Sequence, residues 1–154
     1  MRDIHPRVVA ATRAQLDAWR GLLAGGAERV GWKIALGIEE VEAVVGGDPA
    51  LGHITTATVL EPGATFTGAA AVRQLRAETE LMVEVGPRAT VAGLAVALEI
   101  VDTGRPPNGL EAIIVANVDH RTVAFGPMDP AARAGGPARL LVGRRAARGV
   151  TGDR

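Results

Sequence analysis

Glu78 and Glu80 stand two residues apart in the run RAETELMVEVG, residues 76–86. In an extended strand, side chains at i and i+2 share a face, so both carboxylates point the same way. Like charges so placed require either a wet face or a cation between them. The residue types alone leave both open, and a solvated edge-strand face is the commoner case. Glu84 extends the same polar row. Glu99 is a different matter, because it is embedded in the apolar stretch AVALEIVD. A carboxylate in such surroundings needs an ion pair or a coordinated cation, since burying it alone is costly. Should all three acids converge, their repulsion at low dielectric calls for a compensating metal. All-oxygen ligation with open positions suits Mg²⁺ or Mn²⁺, not zinc.

Of the 17 basic residues, 16 are arginine and one, Lys33, is lysine. In a chain whose cations are otherwise arginine, a lone lysine either survives by chance or marks a place where guanidinium does not serve. Lysine can lose its proton when desolvated, whereas arginine effectively cannot. His53 is a further acid–base candidate, although a lone histidine beside a glycine is more often structural. Asp119 and His120 are candidates to line a pocket.

The composition bounds the function classes. With 154 residues the chain suffices for one domain with a core. Equal numbers of acids and bases argue against a general nucleic-acid binder, which needs a surplus of positive charge. The sequence contains neither cysteine nor serine, which excludes disulfides, thiol chemistry and a serine nucleophile. The longest apolar run, VAGLAVALEIV, is interrupted by Glu99 and too short to span a bilayer, and the first residues lack a signal-like apolar core. A cytoplasmic protein is therefore expected. No strand–glycine–helix dinucleotide fingerprint is present.

Hydropathy patterning predicts the elements that must position these residues. Val8, Thr12, Leu16, Trp19 and Leu23 predict an amphipathic helix ended by Gly25 and Gly26. VGWKIALG predicts a short strand carrying Lys33, and IEEVEAVVGG a second helix. HITTATVL and TFTG predict a hairpin or two short strands. ETELMVEV alternates Thr79, Leu81, Val83 and Val85 with Glu78, Glu80, Met82 and Glu84, the pattern of a two-faced strand. TVAGLAVALEIVDT is expected to begin as a helical turn and end as a strand near Glu99. GRPPNGLE predicts a loop. EAIIVANV and RTVAFG predict further strands, and ARLLVG an ordered segment before a frayed tail. The expectation is an α+β, β-rich mixed sheet with an N-terminal helix. It divides into a helical segment over 1–30, a β-rich domain over 31–143 and a tail over 144–154.

GWKIAL, RAETELMVEVG, VALEIVD and ANVDHRTVAFG occur in the order and with roughly the spacing of the fumarylacetoacetate hydrolase superfamily. The chain resembles in particular its 2-keto-4-pentenoate hydratase and 4-oxalocrotonate decarboxylase branch, over about residues 31–126. The resemblance implies a β-roll, here reduced, and a divalent metal held by Glu78, Glu80 and Glu99. It implies that Lys33 acts in proton transfer or substrate holding, with Asn117 and Arg76 on the substrate side. It further implies a lyase, hydratase-like, acting on an enolisable small-molecule 2-keto acid, with decarboxylase and carbon–carbon hydrolase as rivals. The hydrolase chemistry calls for an added His–Glu pair, and the sequence offers no legible one. Where the family carries an aspartate in a PDFG-like element, this chain has PALG with Ala50, and Asp48 lies two residues earlier. Asp119 and His120 stand where the family has serines. The domain is also shorter than the family's, so the missing strands are expected to be supplied by a neighbouring subunit, replaced by a reduced fold, or lost; a non-catalytic accessory subunit is the rival reading, and a homo-oligomer is expected either way.

Overall fold

The alternation of β-branched and charged residues around Glu80 forms the longest strand pair of the molecule. The computed structural model describes residues 5–35, 49–104 and 110–130. The expected helix over 38–47, Asp48, the segment ARLLVG and the tail over 144–154 lie outside the described residues, as does most of the GRPPNGLE loop.

The first helix, α1 (Pro6–Ala24), begins with Pro6 in its first turn, where the missing N–H costs nothing. It ends at Gly25, and Gly26 adopts φ 97°. Its innermost stripe is Val8, Ala11 and Gln15, so the core-facing line is rotated relative to the expected Leu16 and Leu23. Strand β1 (Arg29–Ala35) pairs antiparallel with β2 (Ala50–Thr55), with Lys33 opposite Gly52.

The second sheet has the order β3-β6-β5-β4, built from β3 (Val59–Leu60), β4 (Leu75–Val85), β5 (Val91–Asp102) and β6 (His120–Phe125). Strand β3 runs parallel to β6 and the other pairs are antiparallel, which makes the sheet mixed. The α+β, β-rich expectation with an N-terminal helix holds.

Three local expectations change. Residues 91–102 are strand throughout, with no helical start, because Val91–Asp102 pairs with β4 along its whole length. The small residues Gly93, Ala95 and Ala97 alternate inward there, a pattern that hydropathy alone reads poorly. EAIIVANV forms a helix, α2 (Leu110–Val115), followed by a turn. A short apolar run does not distinguish strand from buried helix, and the core contact of Ile114 with Val8 and Ala11 decides the matter here. HITTATVL and TFTG do not form a hairpin: HITTATVL contributes to β2, paired with β1, and to β3, paired with β6, and TFTG is not a strand.

The apolar cluster of Val8, Ala11, Ala50, Ile114 and Val118 joins α1 and α2 to β2. The buried Gln15 Nε2 donates to the carbonyls of Leu51 and Ile114, both at 2.9 Å, and so ties all three elements together. The two bonds satisfy the amide hydrogens of a buried polar side chain.

Candidate metal centre

Glu78 lies directly opposite Glu99 across the β4–β5 ladder, and Glu80 lies opposite Ala97. Cross-strand partners share a face, so the three carboxylates point to one side of the sheet. Each offers an oxygen to a common region, with the three atoms within 4.8 Å of one another. Glu99 is buried, whereas Glu80 is exposed and Glu78 also keeps contact with solvent. The centre is therefore walled at the back and open at the front.

Glu99 is held from two directions. Lys33 Nζ donates to its Oε1 at 2.7 Å, and His120 Nδ1 meets the same oxygen at 2.7 Å. Burial alone pushes the Glu99 carboxyl up. The hydrogen bonds from His120 and Lys33, together with their charges, outweigh that and hold it below its ordinary value. Glu80 moves the other way: burial and the neighbouring Glu99 and Glu78 carboxylates raise it, and Lys33 opposes them only in part.

Such a set of crowded oxygens fits a hard divalent cation in donor chemistry and in spacing. Three acids outnumber the two basic groups beside them, Lys33 and His120, so the local charge is negative, as a doubly charged ion requires.

Lys33 reaches this place because β2 lets it. A Cβ at Gly52 would stand 2.6 Å from Lys33 Cγ and 3.1 Å from the Asn117 carbonyl, so only glycine admits the lysine stem. Lys33 Nζ also donates to the Val118 carbonyl at 2.9 Å. That carbonyl belongs to a turn in which Asn117, Val118 and Asp119 all have φ between 54° and 64°. Left-handed backbone at a β-branched residue costs of order 1–3 kcal/mol and persists only where its surroundings impose it. The turn delivers His120 to the start of β6 and sets Asn117 against β2. Asn117 Nδ2 donates to the His53 carbonyl at 2.8 Å, and Asn117 Oδ1 accepts from the His53 N–H at 2.7 Å.

The structure thus brings Lys33, Glu78, Glu80 and Glu99 together. Asn117 brackets the backbone of β2 beside them. Arg76 is exposed and lies on the same strand face as Glu78 and Glu80, toward the start of β4. Ala50 begins β2 within the apolar core, and His53 is buried near Trp19. Burial and the neighbouring His120 hold His53 below its ordinary value.

The structure places His120 against Glu99, a contact that the sequence does not announce. The only signal for it was a histidine at a serine position of the resembled segment. Thr58, whose Oγ1 lies 3.0 Å from His120 Nε2, carried no signal at all.

No family profile and no curated protein matches the chain. Solved structures do. The 4-oxalocrotonate decarboxylase from Pseudomonas putida G7, complexed with calcium and acetate, superposes with a TM-score of 0.66 at 17% identity. The match covers 81% of this chain and 52% of that one. The same enzyme complexed with magnesium and adipate gives 0.61 at 16% identity, covering 81% and 53%. The chain shares the fold of these neighbours over the matched region. The chain spans about half the length of these neighbours. Among the described residues, no helix is long and apolar enough to cross a membrane.

Proposed function

We propose that this chain is a divalent-metal-dependent lyase acting on an enolisable 2-keto acid, of the hydratase type or, as the close alternative, a decarboxylase. The observation that carries the proposal is the convergence of Glu78, Glu80 and Glu99 from facing strands, with ligand atoms within 4.8 Å. The likeness in fold to a decarboxylase solved with magnesium or calcium supports it. Glu78, Glu80 and Glu99 would hold Mg²⁺ or Mn²⁺, leaving about three of six positions for substrate and water. When bound, such an ion would supply Lewis-acid stabilisation of negative charge developing on a 2-keto acid substrate.

The chain's own residues do the rest. Glu99 is kept ionised by Lys33 and His120. Lys33 presents its ammonium at the rim of the acid cluster, where it can hold a substrate carboxylate or move a proton at the substrate carbon. Arg76, on the open side of the same face, is placed to meet the substrate's far end, and Asn117 keeps β2 and Gly52 in register for Lys33.

The His120–Glu99 pair does not favour the carbon–carbon hydrolase. Both imidazole nitrogens are occupied, by Glu99 and Thr58, and the side chain is 1% exposed. It therefore has neither a free nitrogen nor access to a water.

The proposal includes a homo-oligomer. The outer face of the β4–β5 pair is uncharged from Ala77 to Val83 and from Leu94 to Ile100, so a second copy can pack on it about a two-fold axis without opposing like charges. From strand rise and spacing this strip projects roughly 230 Å² per copy, so a stable interface would draw on surface beyond it as well.

The test is Mn²⁺ titration of the full chain by electron paramagnetic resonance, followed by product analysis with 2-hydroxypentadienoate-like and 4-oxalocrotonate-like substrates. Hydroxylated acid marks the hydratase, and CO₂ marks the decarboxylase. Absence of binding at millimolar Mn²⁺ overturns the proposal. A second reading, a non-catalytic accessory subunit, is favoured by Ala50 at the place of the family's aspartate. Turnover by the purified homo-oligomer excludes it.

A further inference from the structure

Glu99 Oε1 receives two short contacts, from Lys33 Nζ and His120 Nδ1, each at 2.7 Å. A carboxylate oxygen has two in-plane lone pairs, so these contacts fill Oε1. A carboxylate that serves a cation is ionised and only accepts, so His120 Nδ1 must carry the proton and donate it. The imidazole is braced from behind. Its Nε2 lies 3.0 Å from Thr58 Oγ1, whose single hydroxyl proton has both Nε2 and the Thr55 carbonyl at 3.2 Å within reach, and Thr122 Oγ1 donates to the Thr58 carbonyl at 2.7 Å. With 1% of its side chain exposed, His120 cannot touch a substrate. Whatever it does is done through Glu99.

We propose that His120 is a positioning residue which, together with Lys33, claims one oxygen of Glu99 and turns the other toward Glu78 and Glu80, so that Glu99 serves a cation through a single oxygen. The inference rests on the metal-centre reading above. It assigns to a side chain at an unexpected position the task of setting the denticity of the buried ligand. A two-oxygen grip by Glu99 would take up a further coordination position, and the His120–Lys33 clamp prevents it. The Thr58 brace supplies the rigidity, because a ring held at both nitrogens cannot swing away when the cation arrives.

The experiment compares Mn²⁺ affinities of the full-length wild type, His120→Ala and His120→Asn by electron paramagnetic resonance, with thermal unfolding measured alongside. An asparagine side-chain amide can occupy the place of Nδ1 and donate to Oε1. His120→Ala is expected to weaken Mn²⁺ about 10–100-fold, the range for loss of an outer-shell partner, and His120→Asn to recover most of that loss. If His120→Ala binds Mn²⁺ as tightly as the wild type, or His120→Asn binds as weakly as the alanine variant, the inference is wrong. Should His120→Ala not fold, nitrogen-15 spectra of the metal-free wild type decide instead: a protonated Nδ1 supports the clamp and an unprotonated one overturns it. A wild type that binds no Mn²⁺ brings down the lyase proposal and this inference together. That outcome is distinct from a wild type and an alanine variant that bind equally well.

Discussion

The two faces of the β4–β5 pair invert the usual relation between polarity and burial. The inner face carries Glu78, Glu80 and Glu99, yet along β5 its residues Gly93, Ala95, Ala97, Glu99 and Val101 are all buried. The outer face carries Leu81, Val83, Val96 and Leu98, and these are 42–54% exposed. Small side chains on the inner face make room for a charged centre, and the two basic groups beside Glu99 make its burial tolerable. Large aliphatic side chains outside form a continuous apolar strip. In this sheet the buried charge of Glu99 is compensated on the inner face, and the larger apolar side chains lie on the outer one.

The comparison can be broken most forcefully at its buried charge. Glu99→Gln leaves Lys33 and His120 with a neutral acceptor in place of a counter-charge, and the metal-free protein is expected to lose about 3–5 kcal/mol in urea unfolding, with Mn²⁺ binding abolished. A smaller loss is expected from Gly52→Ala, which crowds the Lys33 stem against β2. About 1–3 kcal/mol should go, with weakened substrate binding but retained Mn²⁺ binding. Substitution on the opposite face should do the reverse. Leu81→Lys is expected to change the folding stability of the isolated chain by less than about 0.5 kcal/mol. Its effect appears in sedimentation, as at least a tenfold rise in the self-dissociation constant, equivalent to about 1.4 kcal/mol.

The smallest effect distinguishes the acids from one another. Glu99, depressed below the ordinary carboxylate value, contributes stability present above that ordinary value and lost as the pH falls through its folded value. Glu80, raised above 4.5, has the opposite sign: its charge costs stability at neutral pH, and protonation relieves the cost. Glu80→Gln should therefore raise the metal-free Tm slightly at pH 7, by under about 2 °C because the group is largely exposed to solvent screening, and the gain should vanish at pH 4.

Much of this arrangement was legible in the residues. Alternation in ETELMVEV put Glu78 and Glu80 on one face, and the apolar surroundings of Glu99 demanded a partner for it. Lys33, the single lysine, stood out against 16 arginines. What could not be read was which face of the strand is buried, because alternation is symmetric between inside and outside. Nor was α2 legible, since AIIV fits a strand and a helix equally well until Ile114 meets α1. The His120–Glu99 contact joins two strands through a left-handed turn at Asn117, Val118 and Asp119, a conformation that side chains of those types do not announce.

By itself, then, the amino-acid order determined the local periodicities: a helix at the start, a two-faced strand, two acids bound to share a side, and an isolated buried acid in need of compensation. These follow from backbone geometry and desolvation, which act over a few residues. Only the tertiary structure decided what compensates Glu99, which face receives the acids and which apolar row is left outside. Those outcomes depend on register between distant strands and on the space Gly52 leaves for Lys33, and no local pattern encodes either.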